Sequence, residues 1–263
     1  MLPFLLLGLL QGLTEFLPIS SSGHLALAEQ LFHVQKPGIV FDIFVHFGTV
    51  LSVLWVFRYR IARLVLAPFR RGEDLRLVGM LIVGSIPTGI LGLALDSVAE
   101  AAFVRSWAVG LGLLVTAGAL FFVERRGSAS AKSLEQLSWR EALWVGLAQG
   151  IAVLPGISRS GSTIAMGLFL GLRRTDAAEF SFLLFIPAIL GATLLKLGEA
   201  LSDPGAHSAL WGSYLAGTIV AFLSGVVAIR FLMKFLRERR LTPFALYCLI
   251  LGMLALVWQV VRL

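Results

Sequence analysis

A chain of 263 residues that is 58% hydrophobic and 14% charged falls well below the roughly 25% charge of a soluble globular domain. Its long apolar runs make it an all-α polytopic membrane protein, because a helix satisfies its own backbone polar groups in lipid, and no stretch is polar enough for a separate soluble domain. The net charge of +7, from 22 Lys+Arg against 15 Asp+Glu, follows alternate loops as the positive-inside rule requires, so nucleic acid is excluded as a partner.

Residues 1–35 open the chain with an apolar limb that breaks at "TEFLPISSSGHL" (Thr14–Leu25) and resumes over about Gly23–Phe32. The N-terminus lacks a basic n-region, so no secretory signal peptide is expected. Spans are expected over Ile39–Phe57, Leu77–Leu95 and Trp107–Val123, followed by a linker over 124–140. Residues 141–175 repeat the opening pattern, with a second limb over about Ser160–Leu172, and spans follow over Phe180–Leu197, Trp211–Leu232 and Pro243–Val261. Sixteen of the 22 basic residues fall on one side of these six spans, taken as cytoplasmic; the intervening loops Asp96–Ser106 and Gly198–Leu210 hold only Arg105. The second limbs would reach about 15–20 Å, half a bilayer. Two re-entrant helix–loop–helix hairpins account for them most economically; a first helix followed by a surface amphipathic one is the alternative. Cys248 is a single cysteine in an apolar run, so no disulfide forms within the chain.

An internal repeat organises these pieces. At an offset of 138, Gly8, Leu9, Gln11, Gly12, Ile19, Ser20, Ser22 and Gly23 match Gly146, Leu147, Gln149, Gly150, Ile157, Ser158, Ser160 and Gly161. Each copy continues as hairpin then three spans, with Asp42 and Glu179 opening the first span of each. Three spans is an odd number, so the copies (1–123 and 141–263) are inverted and their hairpin tips meet near the midplane, as in inverted-repeat transporters.

The tips are "PISSSGH" (Pro18–His24) and "PGISRSGS" (Pro155–Ser162). A serine/glycine turn entering a helix presents backbone N–H groups at the positive end of the dipole, a phosphate site; Ser20, Ser22, Gly23, Ser158, Ser160 and Gly161 are the candidate ligands. A mid-membrane Arg159 costs at least about 2.5–3.5 kcal/mol on insertion scales, so it holds an anion or pairs with Glu15 or Asp42. Glu15 can hold a metal, orient a histidine or act as general base, and His24 can serve as acid, base or nucleophile. Gln11 and Gln149 support the tips by hydrogen bonding; Asp42 and His46, one helical turn apart, can line the cavity. His33 and His207 read as loop residues.

The motifs "QGLTEFLPISSSGHL" and "LPGISRSGSTI", with "GSIPTGILGL" (Gly84–Leu93) and "EFSFLLFIP" (Glu179–Pro187), resemble those of the undecaprenyl pyrophosphate phosphatases, the bacitracin-resistance family, along essentially the whole chain. The resemblance implies a bacterial inner-membrane enzyme of six spans and two re-entrant hairpins. It would remove the terminal phosphate of undecaprenyl pyrophosphate at a site open to the periplasm, recycling the lipid carrier for cell-wall synthesis. It further implies Ser21 as nucleophile or nearest phosphate ligand, essential roles for Glu15, His24 and Arg159, and a divalent cation (Mg or Ca) with no organic cofactor. Gln11 departs from the pattern, standing where several members carry a second glutamate and a candidate metal ligand. Glu15 is then the remaining candidate, with Asp42 and the substrate phosphates. Ser21, His24 and water stay open as nucleophile, and a homodimer as assembly. A flippase or anion-coupled transporter is the rival from another class.

Overall fold

The computed structural model describes residues 1–32, 39–69, 72–126, 132–201, 210–238 and 240–261. His33, Arg70, Arg71 and His207, and most of the loop expected over Gly198–Leu210, lie outside them. The described residues form eleven α-helices, two short 3-10 turns and no strand. The helices are α1 (Leu2–Phe16), α2 (Ser21–Phe32), α3 (Ile39–Val56), α4 (Arg58–Leu66), α5 (Glu73–Phe103), α6 (Ser106–Arg126), α7 (Trp139–Ile151), α8 (Arg159–Phe169), α9 (Arg174–Leu201), α10 (Trp211–Glu238) and α11 (Thr242–Val261). Five are long and apolar enough to cross a membrane, and six if α3 and the helix bent from it by 83° count as one.

Several boundaries differ from expectation. α3 stops at Val56, and the basic stretch expected as a loop turns into α4, with Arg58 stacked over Trp55 and Tyr59. α5 runs 31 residues and absorbs most of the loop expected over Asp96–Ser106. The sequence there, DSVAEAAF, is rich in alanine, the strongest helix former, so the span has no local reason to stop. α1, α2, α7 and α8, at 15, 12, 13 and 11 residues, would each reach only about 16–23 Å.

Small residues set the closest helix approaches. A Cβ on Gly8 of α1 would sit 2.4 Å from the Gly217 carbonyl of α10, and one on Gly146 of α7 would sit 2.0 Å from the Gly84 carbonyl of α5. α6 and α11 meet through Gly110 and Gly252, each facing the other's carbonyl. Backbones can come this close only where side chains are missing, which is how helices associate without a hydrophobic driving force. α3 and α10 are further laced by Ser52 Oγ donating to the Phe222 carbonyl (2.9 Å) and Thr218 Oγ1 to the Phe44 carbonyl (3.1 Å).

The arginine-rich ends of the helices are clasped by ion pairs. Arg60 of α4 reaches Asp74 (3.0 Å), Glu135 (3.3 Å) and Glu179 (2.9 Å), and Arg174 holds Glu124 in a two-point fork. The segment before α7 is tied in by Lys132 to Glu141 and by the Leu134 N–H to Asp176. Glu179, matched to Asp42 in the repeat, therefore belongs to this clasp.

Candidate active site

α1 carries Gln11 and Glu15 on one face, one turn apart, and ends because Pro18 cannot continue a helix and holds Leu17 extended (φ −70°, ψ 143°). The chain then turns through Ser20, whose φ of +70° is left-handed and unusual for a non-glycine residue. Ser20 Oγ accepts from the Gly23 N–H (3.2 Å) and contacts Ser22 Oγ (3.2 Å). The second tip repeats this. Ser158 Oγ accepts from the Gly161 N–H (3.0 Å), contacts Ser160 Oγ (3.3 Å) and caps α8. Gly156 supplies the positive φ (+83°), its α-carbon against the spot a Gly23 Cβ would fill. Ser160 Oγ closes the junction by donating to the Leu17 carbonyl (3.0 Å).

At that junction Glu15 is the hub. Its Oε1 accepts from Arg159 Nη2 (2.8 Å); its Oε2 accepts from Ser21 Oγ (2.5 Å) and Gln11 Nε2 (3.0 Å). Arg159 lies over the Phe185 ring, 3.9 Å from its centre, and Nη1 reaches the Ser181 carbonyl at 3.5 Å. The Arg159 and Glu15 side chains are 14% and 6% exposed, so the charges are desolvated together and each depends on the other.

A cavity of about 590 Å³ opens over this cluster. Glu15, Ser20, Ser21, Ser22, Ser158 and Arg159 line it, and His46 and Gln149 add to its wall. Gln11, Gly23, Asp42, Ser160 and Gly161 are outside that lining. Gly23 and Gly161 spend their N–H groups on the serine caps, and Ser160 ties the tips. His24 is also elsewhere: Nδ1 meets the Ser20 carbonyl (2.7 Å), Nε2 meets Tyr247 Oη (2.6 Å), and its ring stacks on Tyr247 of α11. His46 Nδ1 is bonded to the Asp42 carbonyl (2.7 Å).

Four contributors carried no assigned role in the sequence reading: Phe185 beneath the guanidinium, Tyr247 against His24, and Thr88 and Thr116. Thr88 Oγ1 accepts from Gln149 Nε2 (3.2 Å), and Thr116 Oγ1 accepts from the Ser158 N–H (2.9 Å). Thr88 and Phe185 fall inside the quoted "GSIPTGILGL" and "EFSFLLFIP" stretches; Thr116 and Tyr247 sit in plain apolar runs with no local signal.

A hard cation wants several oxygen donors. Beside the serines the cavity offers one carboxylate, Glu15, with both oxygens already engaged by Arg159, Ser21 and Gln11; its other lining carboxylate, Asp96, stands at the far end, about two helical turns beyond Thr88. The buried Gln11 Oε1 accepts no hydrogen bond, but one neutral oxygen does not complete a cation's shell. No group of three His, Cys, Asp or Glu suited to a metal forms among the described residues. These residues do not fit a protein-only metal site.

The whole-chain pattern decides the kinship. The family model described as "Bacitracin resistance protein BacA" matches residues 4–254. The chain belongs to the BacA family. Among its BacA relatives, a protein of Syntrophotalea carbinolica is 47% identical over 253 residues, covering 94% of this chain and 95% of its own. One of Halothermothrix orenii is 45% identical over 251 residues, covering 95% of each, and one of Desulfosudis oleivorans 45% over 261 residues, covering 94% of each. All three are named undecaprenyl-diphosphatase.

Proposed function

We infer that this chain is an integral membrane phosphatase that hydrolyses undecaprenyl diphosphate to undecaprenyl phosphate and inorganic phosphate, recycling the lipid carrier and conferring bacitracin resistance. The carrying observation is the Ser21–Glu15–Arg159 chain at the junction of two serine-capped helix starts. It puts a hydroxyl and a phosphate-matching cation within hydrogen-bond reach of one proton acceptor.

The terminal phosphate binds against Arg159 and the hydroxyls of Ser20, Ser22 and Ser158. Ser21 Oγ gives its proton to Glu15 Oε2 and forms a bond to the terminal phosphorus. The bridging P–O bond breaks, and undecaprenyl phosphate leaves with the electron pair. Protonating Glu15 releases Arg159 from its counter-charge, so the guanidinium becomes available to the phosphoryl oxygens as transfer proceeds. Water then displaces Ser21 from phosphorus; Glu15 returns the first proton to Ser21 Oγ, takes one from the water and gives it up as inorganic phosphate leaves, which restores the carboxylate. No step is routed through a metal, and a cation that accompanies the diphosphate would be held by the substrate's own oxygens. His24 positions Ser20 rather than touching the reacting phosphate.

The architecture that supports this reading is six spans plus two re-entrant hairpins, α1–α2 and α7–α8, in two inverted repeats over 1–123 and 141–263. Matched packing supports it: Gly8 on Gly217 answers Gly146 on Gly84, and each serine cap answers the other. The protein resides in the bacterial inner membrane with the ion-pair clasp cytoplasmic. The cavity then opens to the periplasm, since it follows the parts of α5 and α9 distal to the clasp.

The test is phosphate release from a prenyl diphosphate by purified protein in detergent, beside Arg159→Ala. Turnover by the parent and its loss in the variant are expected; near-parent turnover of Arg159→Ala would sink this site. Matched inverted packing also suits a lipid-carrier flippase, but a pure flippase releases no phosphate in detergent.

A further inference from the structure

The cavity is longer than a phosphate needs. Beyond the Arg159 cluster it continues between α5 and α9 as far as Asp96 and Lys196. From Thr88 to Asp96, about 12 Å of helix, α5 presents no polar side chain. Leu93 and Leu195 line the cavity and are 66% and 63% exposed. Their neighbours Ile90 and Leu194, 62% and 70% exposed, continue this apolar surface. The extension is thus a slot between two helices, continuous with the phosphate site and with apolar walls.

Its floor is made of glycines that no helix packing explains. Gly8, Gly12, Gly146 and Gly150 each face a neighbour that a Cβ would strike, whereas a Cβ on Gly89, Gly92 or Gly191 would meet nothing within 4 Å. All three line the slot. Glycine inside a helix is less favourable than alanine, and here it gives no close contact in return. Pro87 and Pro187 lie inside the same two helices, where each removes a backbone hydrogen bond. By contrast α3 and α10 are laced by side-chain hydrogen bonds and by Gly48, whose Cβ would sit 2.5 Å from the Thr218 carbonyl.

We propose that the α5–α9 slot holds the prenyl chain of the substrate next to its diphosphate and that Gly89, Gly92 and Gly191 keep it open, so that the chain leaves sideways into the bilayer while the phosphates stay at Arg159. The proposal rests on the phosphatase reading. Continuity of the slot with the anion site selects this occupant: a molecule with its charged head at Arg159 finds in the slot an apolar way out.

The experiment compares Gly92→Leu and Gly191→Leu, made separately, with the parent on farnesyl and isopentenyl diphosphates in detergent. Gly118→Leu, on α6 and equally unobstructed but outside the cavity lining, is the control for added bulk. Each slot variant is expected to raise KM for farnesyl diphosphate at least about ten-fold, roughly what losing two buried methylenes costs, with little change in kcat. The farnesyl-to-isopentenyl ratio of kcat/KM falls accordingly, and Gly118→Leu tracks the parent. An unchanged ratio, the result if only bilayer acyl chains visit the slot, overturns the proposal. So does equal loss on both substrates. Failure of the phosphatase reading is separate, because the parent itself would then release no phosphate from either.

Discussion

Replacing Glu15 by glutamine keeps the shape of the hub and removes its charge. Arg159 is then left as a desolvated cation with the Ser181 carbonyl at 3.5 Å and the Phe185 ring as its neighbours. At 2.8 Å the pair attracts by about 6 kcal/mol at an effective dielectric of 20, much of it offset by desolvation. Removing one partner of such a pair costs about 3–5 kcal/mol, whereas removing both charges costs far less than the sum. Arg159→Gln strands the carboxylate instead, with Ser21 and Gln11 still donating to it, so its cost falls at the lower end. For a protein of this size about 2–4 °C of Tm corresponds to 1 kcal/mol. Each single variant is therefore expected to melt about 6–20 °C below the parent, and the Glu15→Gln/Arg159→Gln double variant close to the milder single. Thermal unfolding in detergent, followed by tryptophan fluorescence, reads the cycle independently of turnover, which all three variants lose. The expected coupling then equals the cost of the harsher single, about 3–5 kcal/mol; additivity within about 0.5 kcal/mol, as for independent sites, would refute an ion pair that holds the two tips together.

Four further outcomes follow from the same geometry. Ser21→Ala should abolish turnover while lowering Tm by about 3–12 °C, the worth of one hydrogen bond to a charged group at roughly 1.5–3 kcal/mol; acid quench of the parent should trap phosphoserine at Ser21, and full turnover without it would mean that water attacks directly. His24→Asn should lower kcat without altering the shape of its pH profile; loss of one limb would return His24 to acid–base duty. Gly146→Ala, whose Cβ would stand 2.0 Å from the Gly84 carbonyl, should destabilise by about 1–3 kcal/mol as overpacking does, and an unshifted Tm would contradict the α5–α7 contact. Arg60→Gln loosens the clasp, whose members are 15–33% exposed; solvent screening reduces the expected loss to about 1–2 kcal/mol, with kcat at 25 °C unchanged because none of the clasp lines the cavity.

How much of this was legible beforehand divides by the range of the interaction. Helix class and the positions of the apolar runs follow from composition. The two helix starts were readable because a proline, a cap serine and a glycine act over four or five residues, which is the range of the Ser20–Gly23 and Ser158–Gly161 hydrogen bonds. The Arg159–Glu15 pair was readable too, as one of two alternatives, because a charge in an apolar run needs a partner and few carboxylates are available. The bend after Val56 was missed, since the arginines there mark where a span ends and not which way the chain then goes. Partners drawn from distant, featureless apolar helices were also out of reach: Tyr247 lies 223 positions from His24, and nothing around it sets it apart.

His24 shows how two residues close in sequence on one helix can find different partners. It lies three residues after Ser21, a spacing that makes the two positions neighbours on the helix surface, yet the ring goes where its nitrogens find partners. Nδ1 turns back to the Ser20 carbonyl and Nε2 reaches across to α11, which carries the ring out of the cavity lining. On the function proposed above, His24, one of two candidate bases with Glu15, serves to hold the left-handed Ser20. The carboxylate six positions before Ser21, on the other helix of the turn, is the group within 2.5 Å of the hydroxyl.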